Sequence, residues 1–413
     1  MYIESIALKN FRVFADTSVK FCFRGRSSNG GFPRAKLPNI NLLLGDNGRG
    51  KTSILKAVAL AGLGPAVRDS GIFPYSLIRR DRAGRKNAAN ISALFVPHAQ
   101  DKLRALNAEN FGSVIEVSAR GEVEQVRYAT IGATEWEGVY ESKNDAFFMV
   151  GYGATRRVER PDTFDPGARS KSRLARAQRV QGLFEDSYSL VPLGSWLPAY
   201  ALRNKGRYVQ VVNLLNRILA RSDYRFTGEL EGGDYLFKGP GGAKIPFQAL
   251  SDGYRALIGW VADLLYHVCF TCPPGKKLVD NCGIAMVDEV DLHLHPAWQM
   301  RIIASLAKAL PNIQFIFTSH SPLVASSLEW MNVIVMRDKR GAVVADRLDQ
   351  PIHGLDADQM LLTDLFGLET TRADSKHKKL KRLSIDAGRG DAKAALTLLR
   401  EMSKGGEPGR RAA

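Results

Sequence analysis

Cysteine is scarce in this 413-residue chain, with only Cys22, Cys269, Cys272 and Cys282. So small a set excludes the disulfide framework of small secreted domains and agrees with a reducing compartment. Cys269 and Cys272 form a CxxC, but no second CxxC and no spaced histidine pair follow, so the usual pattern of a zinc site is incomplete. They are expected to pack as small apolar residues at a helix end. A long apolar run is also missing. The most apolar stretch, "ALIGWVADLLYHVCF", contains Asp263 and His267 and follows Arg255, which is too interrupted for a membrane span. Met1 leads into the charged "YIESIALKNF", which predicts no secretory signal, and together these features predict a cytoplasmic protein without a membrane partner. No heptad pattern persists for several turns and no internal repeat is detectable, which excludes long coiled coils and solenoids.

What is present is a core and a surplus of positive charge. Hydrophobic residues make up 45% and charged residues 24%, the balance of a globular protein with a large core. Lys and Arg number 58 against 42 Asp and Glu, and the net charge of +16 predicts polyanionic partners, DNA or RNA among them. A nucleotide pocket with a solvated basic surface would give the same balance.

Residues 39–53, "NINLLLGDNGRGKTS", join an apolar strand pattern to a glycine-rich turn and then to a helical pattern ending near Gly62. This is the context that a G-x-x-x-x-G-K-[ST] motif requires. Gly45, Gly48 and Gly50 free the backbone N–H groups to face phosphate oxygens, and the helix N-terminus adds its positive end. Asn47, Gly48, Gly50, Lys51, Thr52 and Ser53 are the expected nucleotide-binding residues, with Lys51 on the β- and γ-phosphates and Thr52 on Mg²⁺. ATP and Mg²⁺ are the implied ligands.

Residues 286–296, "MVDEVDLHLHP", admit two readings. In an extended segment Asp291, His293 and His295 point the same way and could hold one divalent ion. Alternatively, Ile284–Val287 form a buried strand leading to Asp288, which completes the Mg²⁺ shell, and Glu289, which polarises the attacking water, while the histidines shape the next turn. The stretch "NIQFIFTSHSP" repeats the strand design and brings His320 to a strand's carboxyl end, where ligands of open α/β sheets collect. Lys51, Glu289 and His320 are the catalytic candidates. Within "FQALSDGYRALIGWVADLL", Ser251 reads as the N-cap of a helix whose apolar residues recur at helical spacing, either plain capping or, with Gly253, a site for an anion.

Taken in order, "IESIALKNFRVF", "GDNGRGKT", "LSDGYR", "MVDEVDLHLHP" and "FTSHSP" resemble the ABC-type ATPase heads, in the branch of RecF, the SMC proteins and the OLD nucleases. The likeness covers roughly residues 1–370. It implies an α/β P-loop NTPase with a two-lobed, ABC ATPase-like head and an inserted helical lobe. It also implies that Ser251 and Gly253 complete, in trans, the nucleotide site of a second subunit, giving a homo-oligomer with ATP sandwiched between heads, and that His293 and His295 are structural or inter-subunit groups. One departure concerns the glutamine these heads carry where the first lobe passes into the helical lobe. The matching stretch, "FFMVGYGATRR" (147–157), has none, and Tyr152, Thr155 and Arg156 are the candidates to replace it.

The expected organisation is a nucleotide-binding lobe from 1–152 and 251–350, an inserted helical lobe from 153–250 and a short helical, basic tail from 351–413 that includes "KHKKLKR". The tail is too short for the Toprim nuclease domain of OLD proteins, so a separate effector protein is expected. In "RSKSRLARAQR", Arg169, Arg173 and Arg176 fall on one helical face, which is either solvated or placed along nucleic-acid phosphates. The favoured function is an ATPase in a nucleic-acid-associated process, DNA repair or anti-phage defence. A transporter ATPase is the alternative, disfavoured by the 200 residues between Lys51 and Ser251 and by the "LHLHP" continuation. A metal hydrolase on Asp291, His293 and His295 is the third.

Overall fold

Three short runs, Ile40–Leu44, Gly283–Val287 and Ile313–Ser319, contain no exposed residue, which is the mark of parallel strands covered on both faces. They form the middle of a six-stranded sheet in the order Ala342–Arg347, Val333–Lys339, Ile40–Leu44, Ile313–Ser319, Gly283–Val287, Met149–Tyr152. All neighbours run parallel except the edge strand Ala342–Arg347, which returns from Val333–Lys339 as a hairpin. The computed structural model describes residues 1–25, 35–72, 75–80, 88–98, 111–121, 123–131, 148–159, 164, 175–220, 222–339, 341–366, 368, 370 and 374–403.

A second sheet is antiparallel, in the order Phe14–Lys20, Tyr2–Phe11, Ala89–Val96, Phe111–Arg120, Val123–Ile131. Burial alternates along Ala89–Val96, because only one face of this sheet meets the core. The helix Lys51–Leu63 lies in that core. Its Ile54, Leu55 and Val58 share one buried cluster with Ile6, Leu8, Phe11 and Phe14 of the antiparallel sheet and with Met286 and Ile316 of the parallel one. Two buried amides sew the sheets together. Gln314 accepts from the Ile3 N–H (2.8 Å) and donates to the carbonyls of Ile3 (2.8 Å) and Cys22 (3.0 Å), while Asn41 accepts from the Cys22 N–H (2.6 Å) and donates to its carbonyl (2.9 Å). Polar side chains inside all-buried strands are tolerated because they satisfy backbone groups of the neighbouring sheet.

The stretch expected as a helical insertion contains the helices Ala175–Val180, Leu193–Arg203 and Lys205–Ile218, together with a three-stranded antiparallel sheet, Arg225–Glu231, Asp234–Lys238 and Lys244–Pro246. Its first hairpin turns on Gly232 and Gly233, both at positive φ (59° and 82°), the backbone such a turn demands. The helix Asp252–Thr271 follows and ends beside Cys269 and Cys272, both buried as free thiols. The chain divides into two compact units, Met1–Gly354 and Leu355–Ala413. In the second, the helices Asp374–Gly388 and Ala392–Ser403 pair, with Lys379 Nζ 3.0 Å from Glu401 Oε1. Among the described residues no helix is long and apolar enough to cross a membrane.

Candidate functional site

Strand register brings the expected site residues to one edge. Leu44 lies opposite Ser319, Phe317 opposite Val287, and Val287 opposite Tyr152, so the chains leaving these strands emerge side by side at their carboxyl ends. From Leu44 comes the glycine-rich turn. Gly48 and Gly50 adopt φ of 76° and 86°, and a Cβ on Gly50 would lie 2.6 Å from Val13 Cγ2, so turn and helix start require glycine there. Asn47 is exposed at the loop tip, whereas Lys51 and Ser53 are buried in the first turn of the helix. Lys51 Nζ donates to the carbonyls of Gly45 (2.7 Å) and Asp46 (2.9 Å) and stands 3.4 Å from His320 Nδ1. Burial lowers the Lys51 pKa from its ordinary value, and the carboxylates of Asp288, Glu289, Asp46 and Asp291 oppose that shift. His320 is also lowered, first by burial and then by the Lys51 charge, against the pull of Asp291, Glu289 and Asp46. The ring is therefore neutral at pH 7, with Nδ1 facing the ammonium and Nε2 carrying the proton.

Asp288 is fixed from two sides. Its Oδ2 accepts from the Thr52 hydroxyl at 2.7 Å and its Oδ1 from the Thr318 hydroxyl at 2.5 Å, while its N–H donates to the Tyr152 carbonyl at 2.8 Å. Thr318 also accepts the Glu289 N–H at 2.7 Å. The sequence reading gave Thr318 no role; the signal available was a hydroxyl closing an otherwise apolar strand. Glu289 sits at φ 48°, a left-handed conformation that a non-glycine residue keeps only when its surroundings enforce it. Arg156, also at positive φ (31°), donates from Nη2 to the Glu289 carbonyl at 2.7 Å. Burial lowers its pKa to about 10, with Asp288, Asp291 and Glu289 pulling the other way, so it stays charged at neutral pH. Asp291 Oδ1 is buried without a hydrogen-bond partner.

Ser251 occupies the N-cap of Asp252–Thr271 (φ −62°, ψ 156°) but makes no side-chain capping bond, and it is exposed. Gly253 packs against the histidine turn, since a Cβ there would meet the His293 carbonyl at 2.5 Å. Ser251, Gly253, Tyr254, His293, His295 and Trp298 are among the residues lining a cavity of about 430 Å³. His295 caps the short helix Pro296–Gln299, its Nδ1 accepting the Ala297 N–H at 3.3 Å, and His293 takes φ 63°. The His295 side chain therefore serves the turn. The reading of Asp291, His293 and His295 as a metal site is not supported, because no group of three or more His, Cys, Asp or Glu side chains suited to a metal occurs among the described residues. Arg169 and Arg173 lie outside the described residues, and Arg176 is half-buried in the short helix Ala175–Val180.

The family described as "AAA domain, putative AbiEii toxin, Type IV TA system" matches residues 40–326. The Septu protein PtuA of Bacillus mycoides (strain KBAB4) is 25% identical over 379 residues, covering 90% of this chain and 46% of that protein. The "Retron Ec83 probable ATPase" of Escherichia coli is 38% identical over 89 residues, 22% of this chain and 16% of that protein. The DNA replication and repair protein RecF of Idiomarina loihiensis (strain ATCC BAA-735 / DSM 15497 / L2-TR) is 33% identical over 84 residues, 20% of this chain and 19% of that protein. The chain thus spans less than half the length of these relatives. Among solved structures, an SMC head bound to the C-terminal winged-helix domain of ScpA superposes with a TM-score of 0.50 at 15% identity, covering 84% of this chain and 97% of that one, a likeness of fold.

Proposed function

The chain belongs to the family of that AAA domain, as an ATPase of the RecF- and SMC-like branch, and from this membership we propose that it binds ATP with Mg²⁺ and hydrolyses it to control a nucleic-acid-associated process. The observation that carries the reading is the convergence of Lys51, Thr52, Asp288, Glu289 and His320 at adjacent strand ends, with Thr52 Oγ1 2.7 Å from Asp288 Oδ2 and Lys51 Nζ 3.4 Å from His320 Nδ1. The donor set suits Mg²⁺, a hard cation that takes one or two protein oxygens besides phosphate and water, and here a hydroxyl and a buttressed carboxylate lie together. When bound, the ion neutralises charge on the transferring phosphoryl group. Lys51 binds the β- and γ-phosphates, the backbone N–H groups of the glycine turn hold their oxygens, Glu289 takes the proton of the attacking water, and neutral His320 donates from Nε2 to the γ-phosphate. The Glu289 carboxylate takes no hydrogen bond from the described residues, which suits it to receive that proton.

Two heads act together. The exposed, uncapped Ser251 hydroxyl and the helix start behind it supply donors for the γ-phosphate held by a partner's Lys51, so ATP becomes part of the interface. Similarity to the Septu and RecF proteins supports a setting in anti-phage defence or DNA repair, with a separate effector reading the ATP state. The test is phosphate release by the purified protein with ATP and Mg²⁺, with and without DNA or RNA. Absence of Mg²⁺-dependent hydrolysis, together with unchanged behaviour of Glu289→Gln, would refute the reading.

A further inference from the structure

Three residues compete for the place of the missing glutamine, and their side chains go to different destinations. Tyr152 donates its hydroxyl to Asp263 Oδ2 at 3.0 Å, inside the helix Asp252–Thr271. Thr155 reaches Asp186 Oδ1 at 3.4 Å, at the surface. Arg156 alone of the three turns toward Glu289, with Nη2 2.7 Å from its carbonyl. The same carbonyl accepts the Leu292 N–H at 3.0 Å, so it is held from two directions. Glu289 keeps its left-handed φ of 48° between this carbonyl anchor and the N–H anchor on Thr318. A residue in that conformation is strained, and the anchors are what maintain it.

The segment bearing Arg156 is itself fastened at both ends to the helix that begins at Ser251. Before it, Tyr152 is tied to Asp263, which is 1% exposed and also accepts the Val191 N–H at 2.7 Å. After it, Val158 is pressed so closely onto Gly259 that a Cβ there would stand 2.3 Å from Val158 Cγ2. Arg156 is thus a cation set among Asp288, Asp291 and Glu289, on a loop with no slack at either end.

We propose that Arg156 is a positioning residue for the hydrolytic step: it locks the Glu289 backbone in the conformation from which the carboxylate meets the attacking water. This rests on the reading of Glu289 as the base. A guanidinium suits the task because its planar fork offers several donors in fixed directions, whereas an ammonium offers a mobile point charge. Its guanidinium is engaged by the Glu289 carbonyl, so its removal is expected to slow turnover without loosening the nucleotide.

The test is a double-mutant cycle of Arg156→Ala and Glu289→Gln, read by single-turnover hydrolysis and by the affinity for a fluorescent ATP analogue, with thermal melting as the check on folding. Arg156→Ala is expected to lower kcat about 10- to 100-fold, with nucleotide affinity held within about threefold, since misplacing a catalytic group is felt in the transition state. Arg156→Lys, which keeps the charge but loses the fork, is expected to recover only part of that loss. In the Glu289→Gln background, Arg156→Ala should add less than about a further twofold, because residues acting as one unit are non-additive. A wild-type kcat in Arg156→Ala, a loss confined to affinity, or the same factor of loss in both backgrounds would each overturn the inference. If Arg156→Ala fails the melting check, the same cycle with Arg156→Lys decides by the same criteria. A Glu289→Gln protein that hydrolyses at the wild-type rate would instead remove the base assignment, and this inference with it. A slow Glu289→Gln beside a normal Arg156→Ala would remove this inference alone.

Discussion

The glycine-turn end of the parallel sheet and the start of the helix Asp252–Thr271 both receive phosphate on the proposed function, yet they are finished to different degrees. At the first, three groups are answered within the chain: Lys51 by two loop carbonyls, Asp288 by two hydroxyls, and the backbone of Glu289 by Thr318 and Arg156. At the second, Ser251 is exposed, its hydroxyl caps nothing, and the surface beside it opens into a cavity bordered by Tyr254, His293, His295 and Trp298. Burying a charge is costly unless it is paired, so Lys51 and Asp288 are answered internally. An exposed helix start can leave its donors to water or to a ligand, so the second could remain open. On the proposed function, the contrast is between a site that holds nucleotide and a surface that meets the nucleotide of a second head.

The largest effect should come from breaking the finished site. Glu289→Gln should slow hydrolysis by about 10²- to 10⁴-fold while ATP stays bound, the range expected on losing a general base, measured by phosphate release against nucleotide binding. Lys51→Ala should act on binding, weakening ATP about 10- to 100-fold by removing a charge-assisted contact to phosphate, as read by titration with a fluorescent analogue. Ser251→Arg tests the open site. Light scattering of the Glu289→Gln protein should show a rise in mass with ATP and Mg²⁺; adding Ser251→Arg should abolish that rise while each head still binds ATP within about twofold. Equal masses with and without ATP would direct the question to cross-linking at Ser251.

Smaller effects sharpen the comparison. His320 is pushed below its ordinary value of 6.5 by burial and by Lys51, so it is neutral at pH 7 and gains a proton only as the pH falls below that value. Protonation would set two cations side by side, so kcat should be flat above about pH 7 and decline only below the ordinary value of 6.5, and His320→Ala should remove that decline. The smallest effect concerns nucleic acid. Neutralising Arg169, Arg173 and Arg176 together should weaken DNA or RNA binding and reduce the slope of log affinity against log salt by about one to three, one per lost phosphate contact. An unchanged slope would mark the stretch as a solvated face.

Much of the first site was legible in the sequence, because its elements follow short-range rules. The glycine spacing before Lys51 and the apolar runs ahead of Asp288 and His320 each name a strand and the turn that follows it, and the order of these motifs named the family. Arg156 and Thr318 were less legible. Nothing in "GYGATRR" distinguishes Arg156 from Thr155, and nothing in "FTSH" says that Thr318 faces Asp288, because both facts depend on which strand lies beside which. The hairpin at Gly232–Gly233 went unread in a segment whose helical periodicity dominated. The histidines at 293 and 295 offered a metal spacing that an extended strand would have realised, but the chain turns at that point, where His293 takes a left-handed φ and His295 caps the next helix.

By itself, then, the sequence determined the alternation of buried strands and helices, the glycine turn with Lys51 and Thr52, and the acids that follow the strand Gly283–Val287. These are local properties: periodicity, conformational freedom and the chemistry of adjacent residues. Tertiary structure decided the strand order that sets residues 149–152, 283–287 and 313–319 side by side. It also decided that Gln314 and Asn41 would serve the backbone of another sheet, that Arg156 would anchor Glu289, and that Ser251 would be left open. Register and strand order join residues as far as 311 positions apart, and such pairings are fixed only when the whole core closes around them.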